Sequence, residues 1–348
     1  MEERKIEIDE LIKKATNLTI TSHLSADPDA LGSILGVWFY LKSRFPQKKV
    51  KMIMEGQPSW RENFLPGYKE IVWTQNLVPL LAESDLIFFL DGSLLSRFTH
   101  QSQKLDLNNK ITLCLDHHPE STPDSFSLRV ADISAAATTQ LVAEIFFADG
   151  SVQKEAAEVL LAGILGDTGG LRFIGSDKTR VLLTVERLAR LGKIDLQILM
   201  LKLNRLRDET WDLIKILMEN SQRKLTDISS SVAYSWLPFS ALEKYDLEII
   251  KDAYHFFQDT FLRSAANTAW TFVVTPESLE NYCLSFRALP GGPNVQLLAQ
   301  AFRGGGHFLA AGGEYPAKEN GRVISGEEVC QKVLEVFQKE KIPLILVK

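Results

Sequence analysis

The chain has 348 residues, of which 45% are hydrophobic and 24% charged, and its formal net charge is −5. This is an ordinary globular composition, long enough for two domains, and it argues against disorder, a fibrous repeat or a disulfide-stapled scaffold. The mild acidity, with no broad basic stripe interleaved with aromatics, excludes long nucleic acid as the expected partner; a locally positive cleft can still take a phosphate ester.

Cys114, Cys283 and Cys330 are far apart, and no C-x-x-C pair occurs. Neither a thiolate zinc site nor a disulfide framework is expected, and a reducing, cytoplasmic setting fits. The N-terminal Met-Glu-Glu-Arg-Lys is charged and leads into no signal-peptide core. No run of about 18 apolar residues occurs, so no membrane span is expected.

In chain order, 17–22 reads as a strand, 29–44 as a helix and 50–54 as a second strand. The runs DLIFFL (85–90) and ITLCL (111–115) are short apolar strands, and 134–147 and 152–165 read as helices. Strands apolar on both faces and separated by helices predict a largely parallel sheet covered on both sides. From about 177 to 225 the pattern is nearly all helical, charged on one side. It reads as the last helix of the first domain plus a connecting helix; the alternative is more of the first domain. Strands at 232–236, 270–275 and 281–287, with helices near 247–263, 294–302 and 326–339, predict a second, smaller α/β domain. The expected division is 1–190, a helical linker over 191–225, and 226–348.

Four segments place His or Asp at or just after the end of an apolar run. The first is Thr21-Ser-His23-Leu-Ser-Ala-Asp27-Pro28-Asp29, after a strand and opening a helix. Pro28 keeps Asp27 out of the α region, so its carboxylate and that of Asp29 can face different metals. A helix cap explains one Asp there, but not a His and two Asp. The second is Leu90-Asp91-Gly92-Ser93, which puts Asp91 at the carboxyl edge of the sheet; alone, it equally fits a turn. The third is Leu115-Asp116-His117-His118-Pro119, two imidazoles beside a carboxylate that can fix a tautomer. The fourth is Gly166-Asp167-Thr168-Gly169-Gly170. Mixed imidazole and carboxylate donors without sulfur suit Mn²⁺ or a similar divalent ion. So many carboxylates in one place repel each other unless cations are present. Two metals would clamp an in-line phosphoryl displacement and activate a water.

A further signature, Phe302-Arg303-Gly304-Gly305-Gly306-His307 followed by Ala310-Ala311-Gly312-Gly313, lies in the second domain. Consecutive glycines let the backbone approach a ligand and present N–H groups to an anion; a glycine-rich surface turn is the plainer alternative. Arg287, ending the YCLSFR strand, can pair with a phosphate in bidentate fashion. Arg97 is another candidate phosphate contact, although a solvated arginine is equally consistent with its position.

Taken in order, the four segments and the glycine signature resemble the motifs of the DHH/DHHA1 phosphoesterase family, named for a triplet that stands here as Asp116-His117-His118. The resemblance covers nearly the whole chain. It implies a catalytic DHH domain with a mainly parallel sheet flanked by helices, a helical linker and a smaller α/β DHHA1 domain that grips substrate. It implies two divalent ions, Mn²⁺ with Mg²⁺ or Co²⁺ as alternatives. His23, Asp27 and Asp91 would hold one; Asp29, Asp91, His117 and Asp167 would hold the other, with Asp91 bridging. Asp91, Asp116, His117 and His118 form the implied catalytic set: His118 contacts phosphate, and Asp116 orients the histidines. Arg287, Arg303, Gly304, Gly305, Gly306 and His307, with His118, form the implied substrate contacts.

Two departures from the family pattern stand out. Ala26 replaces a usual Pro, which alters loop stiffness but no ligand. Arg303 replaces the first of four glycines. Within the family the nearest type is the stand-alone oligoribonuclease and 3′-phosphoadenosine 5′-phosphate phosphatase, which implies a short RNA oligonucleotide (2–5-mer) or nucleotide as substrate. A cyclic-di-AMP or linear-dinucleotide phosphodiesterase is the alternative, followed by a pyrophosphatase or exopolyphosphatase and, from another class, a catalytically silent nucleotide-binding protein. The resemblance also suggests a homodimer.

Overall fold

The computed structural model describes residues 2–345 except 25, 120, 121, 226, 228 and 320. The chain separates into two compact units, Met1–Arg205 and Leu206–Lys348. The stretch 191–225 is divided between them.

In the first unit, α1 (Glu2–Lys14) leads into β1 (Asn17–Ser22), α2 (Pro28–Arg44), β2 (Lys49–Glu55), β3 (Ile71–Thr74), β4 (Leu86–Leu90), β5 (Ile111–Asp116) and β6 (Leu128–Ala131). Four helices follow: α3 (Thr138–Phe146), α4 (Lys154–Asp167), α5 (Arg180–Gly192) and α6 (Leu196–Leu203). All six strands are parallel, in the order β3-β2-β1-β4-β5-β6. The apolar run of β4 is buried along its whole length, as expected for a strand covered on both faces. This is the expected α/β class. The order reverses between β1 and β4, and open α/β sheets bind ligands beyond the strand carboxyl ends at such a switch point.

Local chemistry starts α2 where it does. Asp27 is extended (φ −116°, ψ 178°) ahead of Pro28, and its carboxylate accepts the Ala30 N–H at 2.9 Å. Close packing then draws α2, α3 and α4 together. A Cβ on Gly32 would lie 2.5 Å from the Val159 carbonyl oxygen, and one on Gly163 would lie 2.3 Å from Thr139 Cγ2. Only hydrogen side chains at these two positions let Thr139 fit between the helices.

The second unit comprises α7 (Asp208–Glu219), β7 (Gln222–Lys224), β8 (Val232–Trp236), α8 (Ala241–Lys244), α9 (Leu247–Phe257), β9 (Trp270–Pro276), β10 (Asn281–Ala288), α10 (Val295–Gln300), β11 (Gly305–Gly306), β12 (Ala310–Pro316), the small pair β13 (Lys318–Glu319) and β14 (Arg322–Val323), and α11 (Gly326–Glu340). Its main sheet runs β11-β12-β10-β9-β8-β7, with only β8 and β9 parallel. Trp270, Phe272, Tyr282 and Phe286 form the centre of its core.

Several elements differ from the sequence expectation. The region 177–225 is not continuously helical. It breaks into α5, α6 and α7 and ends in β7, an exposed edge strand paired with β8. Gln222–Lys224 has no apolar face, so only the ladder to β8 makes it a strand. Strands β3 and β6 are sheet edges; β3 is a short Ile-Val-Trp-Thr run that is only partly buried, and β6 carries Arg129 among its apolar residues. The stretch over β12, Ala-Ala-Gly-Gly, has weak strand propensity and is fixed by pairing with β10 along seven residues. The helix expected over 247–263 is α-helical only to Phe257 and continues as a π-turn over Gln258–Leu262.

Candidate metal centre

Three neighbouring strands deliver the polar cluster. His23 follows β1, Asp91 follows β4, and Asp116 ends β5 with His117 and His118 behind it. Short bonds tie these strand ends together: Ser22 Oγ donates to the Leu90 carbonyl at 2.6 Å, and the Asp91 N–H donates to the Leu115 carbonyl at 2.9 Å. Helices complete the group. Asp29 lies in the first turn of α2, and Asp167 is the last residue of α4.

Asp91 has φ 63°, the left-handed region that non-glycine residues enter rarely and functional sites more often. Aspartate tolerates it better than most residues. That conformation turns the chain at the strand end, and Gly92 follows. Asp91 is buried; its Oδ2 lies 3.2 Å from His23 Nε2, and its Oδ1 accepts the Thr138 hydroxyl at 2.9 Å.

The remaining members converge on the same point. His117 Nε2 lies 3.5 Å from Asp167 Oδ2, 3.6 Å from Asp91 Oδ1 and 3.9 Å from Asp29 Oδ2. Those separations exceed a hydrogen bond, and both ring nitrogens of this buried imidazole lack a hydrogen-bond partner. His23 Nε2 lies 3.6 Å from Asp27 Oδ2. Asp116 holds its neighbour: its Oδ1 is 2.9 Å from His118 Nδ1 and accepts the His118 N–H, while its Oδ2 accepts the Ser93 hydroxyl at 2.5 Å. Arg129 Nε donates in turn to Ser93 Oγ at 3.1 Å.

These atoms form three metal-competent groups: His23, Asp27 and Asp91; Asp29, His117 and Asp167; and Asp91, His117 and His118. Within each, the donor atoms all lie within 4.8 Å of one another. The partnerless His117 Nε2, facing three carboxylates at more than bonding distance, fits a divalent cation at this site.

Charge reads the same way. Burial raises Asp29, and Asp91, Asp167 and Asp27 push it further, well above the usual carboxylate range. Asp167 keeps a third of its side-chain surface open, yet enclosure of its carboxyl and then the charges of Asp27 and Asp91 raise it to about 7. Burial lowers His23, but Asp27 and Asp91 outweigh burial and hold it at about 10. Burial depresses His117 to about 4. Burial raises Asp91, but His23, His117 and His118 overcome this and keep it ionised. At neutral pH and without cations, the cluster therefore stores protons that an ion would displace.

Residues the sequence reading did not single out support this centre. Asp29 accepts the N–H of Thr138 at 2.7 Å and of Thr139 at 2.9 Å, and also the Thr139 hydroxyl. These threonines start α3, so the free N–H groups of the helix are spent on a carboxylate from α2. A Thr-Thr pair ahead of an apolar helix is an ordinary starting signal, so nothing in the sequence marked it. Arg97, which the sequence did offer as a candidate phosphate contact, is half-buried; its carbonyl accepts the Leu24 N–H at 2.7 Å, and its Cδ lies 3.6 Å from where a Cβ on Gly92 would sit. Cys114 is buried beneath the site, where burial pushes its thiol up to about 12.

In the second unit the expected substrate residues separate. Arg287, Gly305 and Gly306 line a cavity of about 260 Å³ with Tyr254, His255 and Ser285 among its walls. Arg303, Gly304 and His307 do not line it. Gly305 and Gly306 form the edge strand β11, paired with Gly312 and Ala311, so the glycine signature is a hairpin arm as well as a turn. The His307 N–H donates to the Ala310 carbonyl at 2.7 Å and closes that hairpin. Arg303 is exposed, with φ 54°. Arg287 Nη1 donates to the Phe286 carbonyl at 3.0 Å and to Ser285 Oγ at 3.3 Å, and its Nε lies 3.8 Å from Asp259.

Residues 17–164 match the DHH family, N-terminal domain. The matched stretch runs from β1 into α4 and holds every member of the cluster except Asp167. The first unit therefore carries a DHH-family domain, that of a phosphoric ester hydrolase. It is 26% identical over 94% of its length to the Bacillus subtilis protein named "Bifunctional oligoribonuclease and PAP phosphatase NrnA", covering 99% of it. It is 30% identical to a Streptococcus mutans protein named "Probable bifunctional oligoribonuclease and PAP phosphatase NrnA" over 47% of this chain, and there spans only 48% of the relative. In structure it is similar to a Bacteroides fragilis exopolyphosphatase-related protein, with a TM-score of 0.80 and 23% identity over 97% of this chain and 96% of that one; that likeness concerns the fold. Among the described residues, no helix is long and apolar enough to cross a membrane.

Proposed function

We propose that this phosphoesterase hydrolyses short RNA oligonucleotides of two to five residues and 3′-phosphoadenosine 5′-phosphate, with two divalent ions of the Mn²⁺ type. His23, Asp27 and Asp91 hold one ion; Asp29, Asp91, His117 and Asp167 hold the other. The observation that carries this reading is that separate donor groups meet at Asp91 and His117. A bound metal pair supplies an activated water and stabilises charge on the phosphoryl oxygens. The protein's own part is positional. His118, held by Asp116 through Nδ1, is set to meet a phosphate oxygen. Ser93 and Arg129 fix Asp116 from the other side. The second unit acts as the DHHA1 domain and holds the nucleotide through Arg287 and the backbone of Gly305 and Gly306, with Arg303, Gly304 and His307 nearby in the chain. The choice between oligonucleotide and cyclic dinucleotide follows the names of the relatives.

The test is a substrate panel in Mn²⁺: 3′-phosphoadenosine 5′-phosphate, two- to five-residue RNA, cyclic-di-AMP and pyrophosphate. Release of mononucleotides and of AMP, lost in Asp91→Ala, is the expected result. Turnover of pyrophosphate alone, or full activity in Asp91→Ala, would refute the reading.

A further inference from the structure

One buried residue outside the donor groups touches both halves of the cluster. Thr138, the first residue of α3, has no exposed surface. Its N–H donates to Asp29 Oδ2 at 2.7 Å, and its hydroxyl donates to Asp91 Oδ1 at 2.9 Å. Asp29 and Asp91 both group with His117, and Asp91 also groups with His23 and Asp27, so Asp91 is the carboxylate the two subsites share. We propose that Thr138 is a positioning residue that fixes this shared carboxylate against Asp29 and so sets the spacing of the two metal subsites, a proposal that rests on the two-metal reading above.

A carboxylate oxygen that accepts a hydrogen bond has one lone pair committed, and this orients what remains toward a cation. Thr138 makes one such bond to each carboxylate from two atoms of a single residue, so the separation of Asp29 and Asp91 depends on that residue's own geometry. This geometry is stiff: the N–H is held by helical backbone, and a β-branched side chain has few χ1 choices in a helix. The neighbouring Thr139 differs, since its N–H and hydroxyl both go to Asp29 and neither reaches Asp91. Asp91 itself hangs on a left-handed strand end; His23 meets its Oδ2 at 3.2 Å, while His118 and His117 stand 3.4 and 3.6 Å from its Oδ1. Without the Thr138 hydroxyl, Asp91 is free to swing toward His23 and Asp27 and open the pair.

The experiment is Mn²⁺ titration of the metal-stripped full chain, followed by electron paramagnetic resonance. The variants are Thr138→Val, which keeps shape and the N–H but removes the hydroxyl, Thr138→Ala and Thr138→Ser. The wild type is expected to bind two ions and show an exchange-coupled pair signal. Thr138→Val and Thr138→Ala are expected to weaken binding by about 10–100-fold, the usual loss for a partner of a metal ligand, and to give isolated-ion spectra. Thr138→Ser is expected to restore both affinity and coupling. Circular dichroism of each metal-free variant reports folding; Thr138→Ala serves if Thr138→Val misfolds. Wild-type affinity and coupling in either hydroxyl-free variant, or a failed rescue in Thr138→Ser, would overturn the proposal. A wild type that binds no coupled pair would overturn the two-metal reading, and this inference with it.

Discussion

Replacing Gly163 with Ala, an exchange that ordinarily strengthens a helix, should weaken this protein. Gly163 lies inside α4, where the exchange normally gains about 1 kcal/mol. Here a Cβ would sit 2.3 Å from Thr139 Cγ2, 2.7 Å from its Oγ1 and 3.0 Å from its Cβ. Thr139 cannot swing away cheaply, because it is buried, β-branched, and bonded to Asp29 through both its N–H and its hydroxyl. Overpacking of this kind costs about 1–3 kcal/mol. Loss of the Thr139 hydroxyl bond to Asp29, whose carboxyl keeps its proton in the metal-free chain, adds about 0.5–1.5 kcal/mol. After subtracting the helix gain, the net destabilisation is about 2 kcal/mol, or roughly 4–8 °C in melting temperature for a unit of this size. Calorimetry of the metal-free chain reads it directly. Because Asp29 moves with Thr139, Mn²⁺ affinity should fall as well. A melting temperature equal to or above that of the wild type would refute the packing account and leave only helix propensity.

Three further outcomes follow from the geometry. Asp91→Asn keeps a residue that tolerates the left-handed backbone but removes the shared charge; turnover should drop on the order of 10²–10³-fold, and the metal-free protein should melt lower than wild type, because the charge it loses is one that His23, His117 and His118 hold ionised. A melting temperature equal to or above that of the wild type would contradict that. Raised values for Asp29, Asp167 (from 3.8 to about 7) and His23 (from 6.5 to about 10) outweigh the lowered His117 (from 6.5 to about 4), so between pH 4 and 10 the folded state binds more protons than the unfolded one. The metal-free protein should therefore lose stability from pH 4 toward 7 through Asp167, and again toward pH 10 through His23; urea melts at several pH values measure this, and a rising midpoint would exclude it. By the same linkage, Mn²⁺ binding at pH 7 should release at least one proton, read by calorimetry in buffers of different ionisation enthalpy. Finally, Arg287→Ala should raise KM by about 10–100-fold with little change in kcat, for the loss of a charge-assisted contact of about 1.5–3 kcal/mol, and Arg287→Lys should not restore it because a lysine lacks the planar fork.

Much of the centre was legible in the chain because its chemistry is written locally. An apolar strand followed at once by a polar residue fixes where His23, Asp91 and Asp116 to His118 fall along the sheet, since a buried parallel strand can expose such groups only at its ends. Asp27-Pro28 likewise carried its extended conformation and helix cap within a few residues. Tertiary structure alone decided the rest. The order β3-β2-β1-β4-β5-β6 made strands distant in sequence neighbours in space. Thr138 and Thr139 acquired a role only because α3 begins against Asp29, and Gly32 and Gly163 only because three helices converge there. Strand β7 and the arm holding Gly305 and Gly306 exist through pairing with partners that no local pattern announces. The residues that supply donors declare themselves in the sequence; those that set the distances between donors do not, because distance belongs to the packing and not to any one segment.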